Sequence, residues 1–276
     1  MRFLTEKPWG VYCRAYHTGK KTVRKLLRKG ADPYLKVLPE VLKNDMIAEK
    51  VSLGIMEIPV DRIVGIDSVE DKEQFSFEFM PLAIPDGDAA TKWCKLYWHY
   101  LSIQGARTPI TCYEYMGEFY ICDGKKRVSI AKCYGVPTIT ASVTRILPVQ
   151  TEDEAVQRYH EFLKYVELTG LYQIRFSKPD SFAVFQKALG HEPDYAWTDE
   201  DRTDFLFNWH FFEHALEEAF NGYLTITSAD ALMVLLEEHP YEKLREMPAM
   251  VLIHIMRNVW AKLYAIQNSE FERVAS

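Results

Sequence analysis

The segment from Ile110 to Ile146 restricts the fold more than any other part of the chain. Ile110-Thr-Cys-Tyr-Glu-Tyr115 and Glu118-Phe-Tyr-Ile-Cys122 are rich in β-branched and aromatic residues, and Met116-Gly117 between them supplies a two-residue hairpin turn. Asp123-Gly124 then breaks the extended pattern, and Lys125 to Tyr134 is compatible with a helix. Gly135 stands where a helix C-cap glycine belongs, and Thr138 to Ile146 reads as a further strand. Hairpin, glycine turn, helix and strand in that order require a sheet with a helix laid on it.

The flanking sequence extends this pattern. Ile55 to Val60 reads as a strand, Asp61 to Ile66 as a turn and a short extended piece, and Phe75, Phe77 and Phe79 alternate with polar residues as an edge strand would. Ala89 to Ile103 predicts a helix, because Trp93, Tyr97 and Leu101 recur at i, i+4 and i+8. The first 45 or so residues read as helical, with a break at Gly30-Ala-Asp-Pro33. Beyond Pro148 the strand signals stop. The hydroxyl of Thr151 precedes a run of carboxylates, a helix start, and Val156, Tyr159, Phe162, Leu163 and Val166 give that helix an apolar face. Further helices are predicted near 181–189, 199–220, 228–238 and 241–267. The expectation is an α+β protein: a basic helical N-terminal arm over 1–45, a mixed-sheet domain over 46–150 and an acidic all-α domain over 151–276.

Charge separates the same regions. Residues 1–150 carry 22 Lys and Arg against 17 Asp and Glu, whereas residues 151–276 carry 11 against 22, for a formal net charge of −6. Lys20, Lys21, Arg24, Lys25, Arg28 and Lys29 form a cationic helix face around Val23, Leu26 and Leu27. Such a face suits phosphates, acidic protein or anionic lipid, or is a solvated face of a helix packed through its apolar residues. With 48% hydrophobic and 26% charged residues the chain can bury a core, which excludes disorder as its general state. No run approaches the roughly 18 to 20 apolar residues of a membrane span. The N-terminus lacks the apolar run of a secretory signal, so a cytoplasmic protein is expected. Cys13, Cys94, Cys112, Cys122 and Cys133 are odd in number and never form a C-x-x-C pair, which points to neither a disulfide framework nor a zinc site.

The chemistry concentrates at Asp123-Gly-Lys-Lys-Arg-Val-Ser-Ile-Ala-Lys132. Three cations, Lys125, Lys126 and Arg127, stand on the first turn of a helix, where the unpaired N–H groups and the dipole already favour an anion. That arrangement calls for a partner of opposite charge. A phosphate is the simplest one, with Gly124 permitting close approach, Arg127 a bidentate contact and Ser129 a hydroxyl bond. The alternative is that Asp123, Glu118 or the acidic second half neutralises the cations. His210-Phe-Phe-Glu-His214 fits an H-x-x-E-H zinc-protease pattern, but its aromatic neighbours mark a packing helix. Asp67, Glu70, Asp71, Glu73, Asp86 and Asp88 read as a solvated acidic loop that could in principle hold Mg²⁺ beside a nucleotide.

Over Val51 to Pro148 the sequence resembles the ParB/sulfiredoxin superfamily. Glu57-Ile-Pro-Val-Asp-Arg-Ile-Val-Gly65 is similar to its first strand motif, and Asp123 to Gly135 reproduces its D-G-x-x-R-x-x-x-A-x-x-x-G signature. The resemblance implies that Gly124, Lys125, Lys126, Arg127 and Ser129, next to Asp123, hold the phosphates of a nucleotide; the cofactor is left open, a nucleotide with Mg²⁺ being one option. It also carries departures. Sulfiredoxin-like enzymes place a Cys-His pair where this chain has Lys125 and Lys126, so the sulfinic-acid nucleophile is missing. The partitioning proteins follow the glycine with Glu-Arg-Arg and later carry a Glu-Asn-x-x-Arg-type motif, neither of which occurs here. The most similar branch consists of bacterial ParB-like proteins with D-G-H-H-R-V-S-V-A at this turn, both histidines here being lysine. The expected function is therefore a nucleotide- or phosphate-binding regulatory protein with no assigned catalytic residue. The alternatives are a DNA-associated protein or vestigial nuclease, and an interaction scaffold that binds no ligand.

Overall fold

Strand formation in the first half follows β-branched and aromatic content, and the strands join into one sheet. The structure, a computed structural model, describes residues 7–42, 46–101, 108–220 and 226–265. The expected helix ends at Ile103 and Gln267, part of the expected arm (1–6 and 43–45) and residues 105–107 of the loop before Pro109 lie outside the described residues. Lys36–Val37 (β1), Ile47–Pro59 (β2), Ile63–Ile66 (β3), Ile110–Tyr115 (β4), Glu118–Asp123 (β5) and Thr138–Pro148 (β6) form a six-stranded sheet in the order β1-β3-β5-β4-β6-β2. The pairs β1–β3, β3–β5 and β4–β6 are parallel, while β4–β5 and β2–β6 are antiparallel, so the protein is mixed α/β with a mixed sheet.

The β4–β5 hairpin turns on Met116 and Gly117, with φ of 52° and 77°, the left-handed pair that matches the twist of the flanking strands. Central strands bury Ile110, Cys112, Phe119, Ile121, Ala141 and Val143 almost completely. β2 differs: it starts at Ile47, earlier than its apolar content predicts, and its first four residues are exposed. It is held there by its ladder to β6, which runs from Ile47 opposite Pro148 to Pro59 opposite Thr138. The edge strand expected at Phe75, Phe77 and Phe79 does not form: a 3-10 turn over Val69–Gln74 leads into this stretch, where Phe75 and Ser76 make only isolated bridges to Pro81 and Tyr34. Phe75 and Phe79 are both buried and Phe77 is exposed, because the chain turns at Phe79, whose φ is 61° and whose N–H donates to Ser76 O.

Among the described residues, four helices belong to the same compact unit, Met1–Val149: Pro8–Arg28 (α1), Leu38–Val41 (α2), Asp88–Leu101 (α3) and Lys125–Tyr134 (α4). The residues expected as an arm are built into this unit. α1 buries Pro8, Tyr12, Ala15 and Gly19 at helical spacing, Tyr12 meets Trp93 edge-on at 5.3 Å, and Tyr12 Oη donates to Ala83 O. Lys36–Val37 of the same stretch adds the edge strand β1. Tyr12, Ala90, Trp93, Tyr97 and Ile130 make a core between α1, α3 and α4.

The second unit, Gln150–Ser276, has helices joined by loops and no strand among its described residues. Its helices are Glu154–Thr169 (α5), Ser181–Ala188 (α6), Asp199–Phe220 (α7), Ser228–Leu236 (α8), Tyr241–Arg245 (α9) and Ala249–Asn258 (α10). The cap of α5 is Asp153, whose carboxylate accepts from the N–H groups of Ala155 and Val156, while Thr151 accepts from Asp153 N one step further out. The predicted helix from Tyr241 onward is divided, since Pro248 cannot continue α9 and instead precedes α10. Along α7, Phe205, Trp209, Phe212, Ala215 and Phe220 are buried, whereas His210 and His214 are exposed and His210 lies 3.8 Å from Glu213. No helix among the described residues is long and apolar enough to cross a membrane.

Candidate functional site

The turn between β5 and α4 depends on glycine at one position. Gly124 has φ 103° and ψ 14°, and a Cβ built there would stand 2.4 Å from Ile110 Cγ2 and 2.9 Å from Ile110 Cβ. Only a residue without a side chain lets the turn close onto the start of β4. Gly124 also occupies the N-cap of α4 and provides no side-chain oxygen for the first-turn N–H groups. At the other end Gly135, with φ 65°, lets Val136 N reach back to Ala131 O.

The three cations on this first turn have different fates. Arg127, with its side chain only 14% exposed, donates to Thr108 O and Pro109 O at 2.8 Å each and to Asp123 Oδ2 at 2.7 Å. Its guanidinium therefore clamps the chain entering β4 onto the turn. Lys125 pairs with Asp71 of the Val69–Gln74 turn at 2.5 Å, and Gln74 donates to the other oxygen of the same carboxylate. Lys126 has no ion-pair partner among the described residues. Ser129 does not join them: it is fully buried and its Oγ accepts from Trp93 Nε1 at 3.0 Å, fastening α4 to α3. One helical turn beyond Lys125 the side chains face the core, so the expected hydroxyl contact to a ligand at Ser129 is replaced by this packing bond.

Asp123, Gly124, Lys125, Lys126 and Arg127 line a cleft of about 610 Å³ that also receives Asp71, Phe75, Leu96, His99, Thr108 and Cys122. Two carboxylates face three cations in it, so Lys126 is the excess charge. Phe75 and Leu96 give one wall an apolar surface. Leu96 and His99 lie on α3, where helical spacing shows a shared face but nothing in the sequence announces which neighbour that face meets. Asp71 was readable only as one acid in a loop.

Burial, reinforced by the charge of Asp67, pushes the Cys122 thiol up to about 12, which keeps it protonated at neutral pH. No group of three His, Cys, Asp or Glu side chains among the described residues is arranged to hold a metal ion. The arrangement is suited to holding an anion: unfilled helix N–H groups, one free ammonium and a second whose carboxylate partner sits on a separate turn. No protein-family model matches the chain, and no curated protein matches it.

Proposed function

We propose that this protein is a nucleotide- or phosphate-binding regulatory protein whose ligand phosphate sits at the Gly124–Arg127 turn. The observation that carries this reading is the uncapped N-terminus of α4, opening with the unpaired Lys126 onto a cleft of about 610 Å³. Cavities of roughly 300 to 1,000 Å³ accommodate ligands of nucleotide size. In this reading the first-turn N–H groups and Lys126 take the phosphate oxygens, Lys125 exchanges Asp71 for the ligand, and Phe75 and Leu96 face the base or sugar. Arg127 keeps its bonds to Thr108, Pro109 and Asp123 and maintains the shape of the turn. Mg²⁺ would enter with the nucleotide, held mainly by its phosphates. The ParB/sulfiredoxin-like signature over Asp123–Gly135 agrees with this assignment.

The test is calorimetric titration of the full chain with ATP, CTP, GTP and inorganic phosphate, with and without Mg²⁺, beside a Lys126→Ala variant. Saturable binding that the variant loses supports the reading. Silence across the panel refutes it and favours an interaction scaffold whose cations are satisfied by Asp71 and Asp123. A DNA-associated role has one observation in its favour: Lys21, Arg24, Lys25 and Arg28 of α1 and Lys29 at its C-cap are exposed with no ion pair among the described residues. That role requires DNA affinity that falls steeply with salt and is lost when these five cations are neutralised.

A further inference from the structure

The first unit holds a second cavity of about 610 Å³ that shares no lining residue with the cleft at the glycine turn. Its apolar wall is made by Leu26 near the end of α1, Tyr34 and Val41 before and after β1, Val64 of β3, and Phe77. That wall is open to an occupant: Phe77 is 43% exposed and Val41 38%, while Leu26, Tyr34 and Val64 are half-buried. Into the same cavity comes Lys132, from the last turn of α4.

The other lysines of the lining are committed. Lys36 pairs with Glu118 at 2.9 Å, and Lys72 with Asp32 and Glu40 at 3.0 and 3.1 Å. Lys132 makes no ion pair or hydrogen bond among the described residues, and its Nζ lies over the Phe79 ring, 5.5 Å from the centroid. The charges that act on it are Asp61, in the 3-10 turn Val60–Arg62, and Glu78, whose carboxylate accepts from Thr22 Oγ1 at 3.1 Å. Burial holds the Lys132 amine below its ordinary value, against the opposing pull of these two carboxylates. More of it is therefore uncharged at a given pH than at an exposed lysine.

This combination selects a neutral ligand with an electrophilic carbon. An anion would meet Asp61 and Glu78, and a cation would meet Lys132 itself. A desolvated amine beside an apolar wall is the arrangement in which lysine acts as a nucleophile toward carbonyl compounds. We propose that Lys132 captures a small aldehyde with an apolar body as a reversible imine, the body resting on Phe77, Tyr34 and Val41. The Nζ lone pair attacks the carbonyl carbon, the carbonyl π pair moves to oxygen, and one proton passes from nitrogen to that oxygen, giving the carbinolamine. The second amine proton then follows the first, and the oxygen leaves as water as the C=N bond closes. Asp61 and Glu78 are the groups at hand to relay these protons, and water reverses the sequence.

The probe is p-anisaldehyde, added to the full chain with sodium cyanoborohydride, which reduces the imine to a stable secondary amine. Peptide mass spectrometry then reads the rate at each lysine, with the exposed Lys21, Lys25 and Lys29 as internal references. At neutral pH Lys132 is expected to be labelled at least about tenfold faster than any of them, because the cavity adds positioning to a larger uncharged share. Its rate is expected to level off at a lower pH than theirs, and the anionic glyoxylate is expected to show no preference for it. Phe77→Ser, at an exposed side chain, is expected to reduce the preference for p-anisaldehyde roughly threefold or more by removing apolar contact. The proposal is overturned if Lys132 is labelled no faster than the references, if its pH dependence coincides with theirs, or if glyoxylate keeps the preference. An undiminished preference in Phe77→Ser also overturns it, by showing that the apolar wall takes no part.

Discussion

Replacing Gly124 by alanine tests whether the turn that carries the candidate site is fixed by sterics. Two costs add. An L-residue held at φ 103° lies outside its favoured regions, at about 1–3 kcal/mol. The new methyl also meets Ile110 Cγ2 at 2.4 Å, so β4 or the turn must shift, an overpacking cost of about 1–3 kcal/mol. Gly135→Ala is the internal control. Its φ is 65°, in the ordinary left-handed region, and nothing lies within 4 Å of its added methyl, so it carries only a backbone cost of about 1–2 kcal/mol. Both substitutions lower the entropy of the unfolded chain equally, and that contribution cancels in the comparison. Gly124→Ala is therefore expected to destabilise by about 2–6 kcal/mol, and by at least about 1 kcal/mol more than Gly135→Ala. In urea, with a slope of about 2 kcal/mol/M, the total lowers the midpoint by roughly 1 M or more. Hydrogen exchange of the Phe119–Ala131 amides assigns the loss to the first unit. Equal midpoint shifts for the two variants would refute the claim that Ile110 closes on the turn.

Three further outcomes follow from contacts near the turn. Ser129→Ala leaves the buried Trp93 Nε1 without its acceptor and is expected to cost about 1–3 kcal/mol in urea unfolding while leaving phosphate affinity unchanged; a selective loss of affinity would return Ser129 to the ligand. Asp71→Asn releases Lys125 and is expected to tighten nucleotide binding by roughly threefold to tenfold in the calorimeter, with weaker binding counting against the exchange of partners. Burial pushes the thiols of Cys112, Cys122 and Cys133 up from an ordinary value of 9.0 to about 12. Between those values the unfolded chain has lost the thiol protons and the folded chain keeps them, so stability present below pH 9 declines as pH rises toward 12. Iodoacetamide at pH 8 should label these three cysteines slowly until urea unfolds the chain, and rapid labelling of native protein would contradict their burial.

How far the sequence reaches depends on whether local or tertiary physics decides. The run from Ile110 to Gly135 was readable almost residue by residue, because a hairpin pair, a breaker glycine and a C-cap glycine are local devices. Most helices after Pro148 were readable for the same reason, through caps and apolar spacing. The start of β2 was not, since Ile47 to Lys50 are exposed and become a strand only by pairing with β6. β1 was missed because two residues bear no periodicity; it exists because Gly65 leaves room for Lys36 O, which a Cβ at that position would approach to 2.3 Å. At the candidate site the basic turn was evident, but the partition of its cations was not. That Lys125 meets Asp71 and Ser129 meets Trp93 depends on how the Val69–Gln74 turn and α3 lie against α4, which no spacing encodes.

The same partition divides the surroundings of the cleft into a fixed side and a movable one. α4 is keyed to α3 at Ser129, to the entry of β4 through two bonds of Arg127 and to the end of β5 through a third, so it can neither rotate nor slide without breaking these contacts. The Val69–Gln74 turn is held by exchangeable charges instead: Asp71 grips Lys125, and the adjacent Lys72 grips Asp32 and Glu40 at 3.0 and 3.1 Å. An anion arriving at Lys125 competes directly with Asp71, and the displaced carboxylate lies one residue from the lysine that tethers the α2 edge. In mechanical terms α4 is the anvil and the acidic turn is the lever, which makes the α2 edge, more than 80 residues earlier in the chain than the glycine turn, the surface where occupancy of the cleft would be felt.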